Sequence, residues 1–201
     1  MYASASYPTD PAQVEAFVAG QRHGTLVATP PGGFPSVSIL PFVRRAGIIE
    51  LHCVQADPTF AALRANPRVT FLVSDYLTWT PHDFVDERDA GRATLHFRAV
   101  AYECEARWST EPADVAAALA RLLAAYEPEG VYAPVRDGDL YGARLRRLAA
   151  LELTVRATRA KFKVGPAVPD ARKREVARRI RVRGMPGDAR AADVIEASLE
   201  P

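Results

Sequence analysis

Apolar residues recur along this chain in two rhythms, a short alternating or continuous one typical of strands and a three-to-four spacing typical of helices. The stretch Ile48 to Val73 contains both. Ile48 to Val54 is β-branched and apolar and turns polar at Gln55, so it reads as a strand. Asp57 then offers a carboxylate to the first free N–H groups of a helix, and Pro58 fits the first helical position, where no N–H is missed. Phe60 and Leu63 give that helix an apolar side, Pro67 ends it, and Val69 to Val73 resumes as a strand.

The same reading extends in both directions. Asp10 caps a helix from Pro11 to Ala19, with Val14, Phe17 and Val18 on its apolar side. Gly24 to Thr29 and Phe34 to Val43 form strands around the turn Pro30-Pro31-Gly32-Gly33, and Arg44 to Gly47 turns into the strand at Ile48. From Ser74 to Gly91 the pattern lapses into a predicted loop that carries Tyr76, Trp79, His82 and Phe84, a density of aromatics suited to a pocket or an interface as well as to a packed surface loop. Ala93 to Trp108 predicts one long strand with a bend. Val115, Leu119, Leu122, Leu123 and Tyr126 fall at helical spacing behind a Thr110 cap and Pro112. A second helix at Leu140 to Leu148 and a closing strand at Leu151 to Ala157 follow. Beyond Pro166 and Pro169, two amphipathic helices at Asp170 to Arg183 and Asp188 to Leu199 flank Gly184-Met185-Pro186-Gly187. The order predicts a mainly β fold with flanking helices, a six-stranded antiparallel barrel over residues 1–163 and a helical tail over 164–201.

Composition adds little to the fold and something to the function. With 201 residues and 48% hydrophobic content, the chain holds a full core, and no segment has the length of a membrane span or the layout of a signal peptide. A cytoplasmic protein is expected. The net charge of +2 is unevenly spread, because residues from Lys161 onward carry 10 basic and 6 acidic side chains. Such a tail suits nucleic acid or a phosphate-bearing ligand, or equally a solvated helix face. Cys53 and Cys104 lie in predicted strands without C-x-x-C spacing and read as structural thiols.

Local catalytic motifs are absent: there is no phosphate-cradling glycine loop, no G-x-S-x-G and no H-E-x-x-H. His23, His52, His82 and His96 are too dispersed for a local metal motif, although folding could juxtapose His52 and His96. Either of these two serves equally well as a donor to a ligand or as a satisfied structural histidine.

Several features together resemble the PaiB-type FMN-binding regulators, within the flavin-binding split-barrel group that includes pyridoxamine-phosphate oxidases. They are Met1-Tyr2, the Leu40-Pro41 strand end, the L-H-x-x-x-A-D-P-x-F run from Leu51 to Phe60, Lys161-Phe162-Lys163 and the two-helix tail. The resemblance implies a six-stranded split barrel that dimerizes with FMN in a groove between subunits, and DNA as a partner by analogy. It places His52, Asp57, Thr80, Pro81 and His96 in the ligand-side segments and Lys161 and Lys163 in the basic motif. Ser38, followed by Ile39, stands where relatives carry Thr-His; Ala90-Gly91-Arg92 replaces Trp-Asn-Tyr, and Gly165-Pro166-Ala167 replaces Ser-Gln-Asn. No Lys follows the third strand, Thr59 being nearest, and Arg92, Arg98 and Arg156 are candidate replacement charges. Three functions follow as expectations: a dimeric flavin-binding regulator, a flavin-dependent oxidoreductase of small molecules, or a barrel that binds another ligand or partner without FMN.

Overall fold

The computed structural model describes Tyr7 and residues 9–199, so Met1-Tyr2 of the resemblance lies outside the described residues. Helix α1 (Pro11–Ala19) precedes strands β1 (His23–Ala28), β2 (Ser36–Pro41), β3 (Val43–Arg45) and β4 (Ile48–Val54). Helix α2 (Pro58–Ala65) leads to β5 (Arg68–Thr80), β6 (Thr94–Ser109), α3 (Pro112–Tyr126), α4 (Gly142–Leu145), β7 (Leu148–Lys163), α5 (Asp170–Arg183) and α6 (Asp188–Ala197). The sheet has seven strands in the order β2-β1-β5-β6-β7-β4-β3, with antiparallel ladders where β1 meets β2 and β5 and where β4 meets β3 and β7. β2 also approaches β4 without pairing to it, so the sheet curls but is not closed.

The expected six strands become seven because the second one breaks at Phe42. The Phe42 ring is buried edge-on against Phe71, with centroids 5.3 Å apart. Its backbone leaves the ladder and is satisfied by a side chain: the Phe42 N–H donates to the Tyr126 hydroxyl at 3.2 Å, and that hydroxyl lies 3.0 Å from the Phe42 carbonyl oxygen and also bonds the Arg22 carbonyl. Between β3 and β4, Ala46 and Gly47 both have positive φ, +46° and +80°, the backbone of a tight hairpin whose twist matches its strands. Gly24 is needed for another reason, since a Cβ there would lie 2.3 Å from the Phe71 ring.

The helices start where the sequence places them, except α3 and α4. Asp10 and Asp57 both accept backbone N–H groups of the first turn, Thr59 N–H to Asp57 Oδ1 at 2.8 Å, a cap worth about 1 kcal/mol. For α3 the cap is Glu111, not Thr110; Ser109 Oγ accepts the Glu111 N–H and donates to Asp114, taking over the side-chain role. The predicted helix at Leu140 to Leu148 shortens to α4, because Leu148 enters the ladder with β4 opposite Val54.

The chain gathers into two compact units, one formed by Glu15–Val73 and Ala101–Arg159, the other by residues up to Val14, Ser74–Val100 and residues from Ala160 on. In the first, alternate residues of β1, β4 and β5, among them Leu26, Ile49, Leu51, Phe71 and Val73, form the core, while α3 lays Val115 and Ala116 against Leu145 and Ala150. In the second, α5 and α6 pack Val176, Ala177, Ile180, Ala191, Ala192 and Ile195 over Leu77 of β5. Here the predicted loop from Ser74 is corrected: β5 runs on to Thr80. Its alternation slips at Leu77 and Thr78, which are both buried, so the period-two signal fails although the strand continues. Gly184, at φ +70°, ends α5 in the left-handed conformation.

Candidate functional site

Four chemical groupings emerge, two in each unit. In the unit containing β2 and α2, Ser38 Oγ lies 3.0 and 3.2 Å from the Asp57 carboxylate oxygens and 2.7 Å from Thr59 Oγ1. Strand β2 points Ser38 inward between exposed Val37 and Ile39, and the α2 cap fixes Asp57, so two independent local rules bring the residues together. A carboxylate with two hydroxyls accepts hydroxyl or N–H donors; by charge it disfavors a phosphate. His52, in the same unit, pairs with Ala150 across the β4–β7 ladder and is half-buried, and burial pulls its pKa below the ordinary imidazole value.

The second grouping of this unit escaped the sequence reading. Glu50 stands in an apolar run on β4 and is almost wholly buried. Arg45 donates to its Oε1 through Nε and Nη2 at 3.2 and 2.7 Å, and Arg121 of α3 donates through Nε to Oε2 at 2.7 Å. Burial works against the charge, but the two guanidinium groups outweigh it and hold the carboxyl below its usual pKa. This hub borders a groove of about 370 Å³ beside α3, whose walls include Arg107, Trp108 and Glu152. The only sequence signal was an unmatched Glu in a buried strand five residues after Arg45.

In the other unit, β5 and β6 bring Thr80 and His96 together, both fully buried, with Thr80 Oγ1 2.7 Å from His96 Nε2. Burial lowers the His96 pKa to about 4, against an opposing hydrogen bond with the Lys163 backbone, and the Lys163 charge adds a smaller push in the direction of burial. The ring is therefore neutral at physiological pH, and its Nδ1 has no partner within hydrogen-bond geometry among the described residues. Pro81 opens the short turn that follows, its carbonyl accepting the Phe84 N–H at 3.3 Å. Lys161 and Lys163 lie two apart at the end of β7, hence on one face, and both are half-buried. The same unit exposes Tyr76, Trp79 and Leu95.

The fourth grouping is structural. Asp188 of α6, fully buried, accepts hydrogen bonds from Thr78 Oγ1 at 2.8 Å, from Arg183 through Nε and Nη2 at 2.8 and 2.6 Å, and from the Met185 N–H at 2.9 Å. Phe84 of the predicted aromatic loop carries Arg179 and Arg183 over its ring, at 4.2 and 5.7 Å from the centroid. The candidate replacement charges are all engaged: Arg92 with Asp89, Arg98 with Asp75 and Arg156 with Glu105. Cys53 and Cys104 are free thiols in the core, and burial first, with the Asp57 charge adding to it at Cys53, pushes both up to about 12, which makes them unreactive. Among the described residues, no three His, Cys, Asp or Glu side chains are grouped to hold a metal ion, and no helix is long and apolar enough to cross a membrane.

A flavin needs cationic donors for its phosphate and a flat apolar or aromatic contact for its ring. Lys161, Lys163, Tyr76, Trp79 and Leu95 supply those residue types in one unit. The residue types present in this unit thus suit the group.

Comparison with known proteins bears on the same question. A family model described as "Putative FMN-binding domain" matches residues 1–157. No curated protein matches the chain. Among solved structures, the flavocytochrome Anf3 from Azotobacter vinelandii aligns with a TM-score of 0.63 and 18% identity over 82% of this chain and 73% of its own. The FAD and heme binding protein from Mycobacterium smegmatis aligns at 0.61 and 15%, over 83% and 78%. The conserved hypothetical protein Rv2991 from Mycobacterium tuberculosis aligns at 0.57 and 22%, over 81% and 91%. At these identities the likeness is one of fold, a mainly antiparallel β sheet with flanking helices that is consistent with a split barrel.

Proposed function

The chain belongs to the FMN-binding domain family, and from that membership we propose that it is a dimeric, cytoplasmic flavoprotein that uses FMN for redox chemistry on a small molecule. The observation that carries the site is the pairing of Lys161 and Lys163 on one face of β7, in the unit that also exposes Tyr76 and Trp79. In this reading the two ammonium groups hold the phosphate, and the aromatic side chains cover the ring. His96, kept neutral by burial and fixed by Thr80, positions this end of the sheet without adding charge. When bound, FMN supplies electron transfer, while the protein supplies position and electrostatics. Asp57 with Ser38 and Thr59 suits hydroxyl donors of a ligand.

A second copy is favored by the edge strand. Val37 and Ile39 project from the same side of β2, 60% and 70% exposed, and Phe34 just before it is 95% exposed. An apolar, unpaired edge of this kind is a liability in a monomer. Ile39→Glu is expected to convert a dimer to a monomer by light scattering; an unchanged mass would remove β2 from the interface.

The regulatory role implied by the PaiB resemblance is the second reading, favored by the surplus of basic residues from Lys161 onward. Against it, Lys173, Arg178, Arg179, Arg181 and Arg183 of α5 each pair with a carboxylate of the protein, which leaves less charge to replace counterions on DNA.

The deciding experiment is titration of FMN into purified protein with flavin fluorescence as readout. Lys161→Ala with Lys163→Ala is expected to weaken FMN at least ~10-fold, the scale of losing charge-assisted phosphate bonds. Unchanged affinity in the double variant would move the phosphate elsewhere. Saturable, sequence-selective and salt-dependent DNA binding by the holoprotein would instead establish the regulatory reading.

A further inference from the structure

The groove beside α3 has charges of both signs and an aromatic wall. We propose that it binds a small zwitterion with a planar apolar side group, of the aromatic α-amino acid class, a function that does not rest on the flavin reading.

Its volume of about 370 Å³ is within the range of small-molecule pockets. The space exists because Ala117 and Ala118 of α3 and Ala150 of β7 line it, where a packed interface would carry larger side chains. Around this floor stand three cations, Arg45, Arg107 and Arg121, and three anions, Glu50, Asp114 and Glu152. Glu50 is already neutralized, with Arg45 giving it two donors and Arg121 only Nε, which leaves both terminal nitrogens of the Arg121 guanidinium for a ligand. Glu50 is thus a positioning residue that locks the angle of the Arg121 fork. Arg107 makes no ion pair among the described residues and projects from the exposed end of β6. A carboxylate placed between these two guanidinium groups would receive charge-assisted bonds from both.

The anionic side is equally open. Among the described residues Asp114 accepts only from Ser109, through Oδ2 at 2.6 Å, which leaves Oδ1 uncommitted, and Glu152 reaches only Arg45, at 3.8 Å. An ammonium group finds its partners here. Since the lining is balanced in charge, a ligand of one sign would gain from half of it and be repelled by the other half, whereas a zwitterion satisfies both. The side group is decided by Trp108, which is 40% exposed and held by an edge-on contact with buried Phe60, at 6.4 Å between centroids and 89° between planes. Its free surface offers a fixed flat wall to an aromatic group.

The test is isothermal titration calorimetry of the full-length protein with L-phenylalanine, 3-phenylpropionate, which lacks the ammonium, and phenethylamine, which lacks the carboxylate. L-phenylalanine is expected to saturate at one per chain, with both analogs weaker by at least ~10-fold, the scale of a lost charge-assisted pair. Arg107→Gln, a change at an exposed position that leaves the Glu50 hub intact, is expected to weaken L-phenylalanine by about 10-fold while leaving phenethylamine unaffected. No saturable heat from L-phenylalanine in the millimolar range would overturn the proposal. So would an analog that binds as tightly as the amino acid, or an Arg107→Gln protein, folded by circular dichroism, whose affinity is unchanged.

Discussion

Asp188 and Glu50 are two versions of one device, a carboxylate taken out of water and held by guanidinium groups, and they differ in what is left over. Asp188 is fully buried, its partner Arg183 is 19% exposed, and Thr78 and the Met185 N–H take up its remaining acceptor sites. Glu50 is nearly as buried, yet its partners Arg45 and Arg121 are 56% and 41% exposed and keep unused donors beside a groove. In both, the folded protein holds the carboxyl below its ordinary pKa, chiefly through the Arg183 hydrogen bond at Asp188 and, at Glu50, against the upward push of burial, through Arg121 and Arg45 together. A buried charge is thus no mark of function by itself. The informative difference is whether its counter-ions are spent.

Losing the carboxylate of the closed hub is the most damaging of these changes. Asp188→Ala strands Arg183 and Thr78 under α6 and is expected to cost about 3–5 kcal/mol in chemical denaturation, with α5 and α6 becoming sensitive to protease. A loss below about 1 kcal/mol would mean that this hub is as open to solvent as a surface ion pair.

Acid acts on a third buried group. His96 titrates near 6.5 when unfolded and at about 4 when folded, so between these values the unfolded chain binds a proton that the folded chain does not. Its contribution is fully present above about pH 6.5 and is lost as pH falls toward about 4, on the order of 3 kcal/mol. The two carboxyls act in the same direction at lower pH, since their depressed pKa values give stability that disappears as they protonate. Urea denaturation between pH ~7 and ~4.5 is expected to show this slope flattened in His96→Gln; a parallel slope would assign the acid sensitivity to other groups.

The smallest effect belongs to the open hub. Arg121→Ala leaves Glu50 with Arg45 alone, and about 1–2 kcal/mol should be lost because water can reach the gap. Adding Glu50→Gln should recover part of that loss, and a double variant no better than the single one would show that the charge of Glu50 is not the cause.

What the chain reveals without its structure follows the range of the forces involved. α2 was legible to the residue, because Asp57, Pro58 and Pro67 act on their own neighbors. So were α1 and the turn between α5 and α6. The far half of β5 was not, since Asp75 and Thr78 look like loop residues until Arg190 and Asp188, more than a hundred positions later, cover and neutralize them. Among the site residues, Ser38 and Asp57 meet through β2 and a helix cap, and Thr80 meets His96 through neighboring strands; the motif-like order of the sequence named these residues but not their partners. Glu50 was passed over because its surroundings announce only a buried strand, and the Arg121 that explains it arrives from a helix 71 residues away.

The corner at Phe42 has a consequence for how this architecture changes over generations. There a phenolic oxygen takes a place that a neighboring strand fills elsewhere, accepting the Phe42 N–H and sharing its one proton between the carbonyls of Arg22 and Phe42. Part of what holds the corner between β2 and β3 is therefore written in a single codon, that of Tyr126, and one base change, to Phe, removes that hydroxyl without touching the strands or the Phe42 ring.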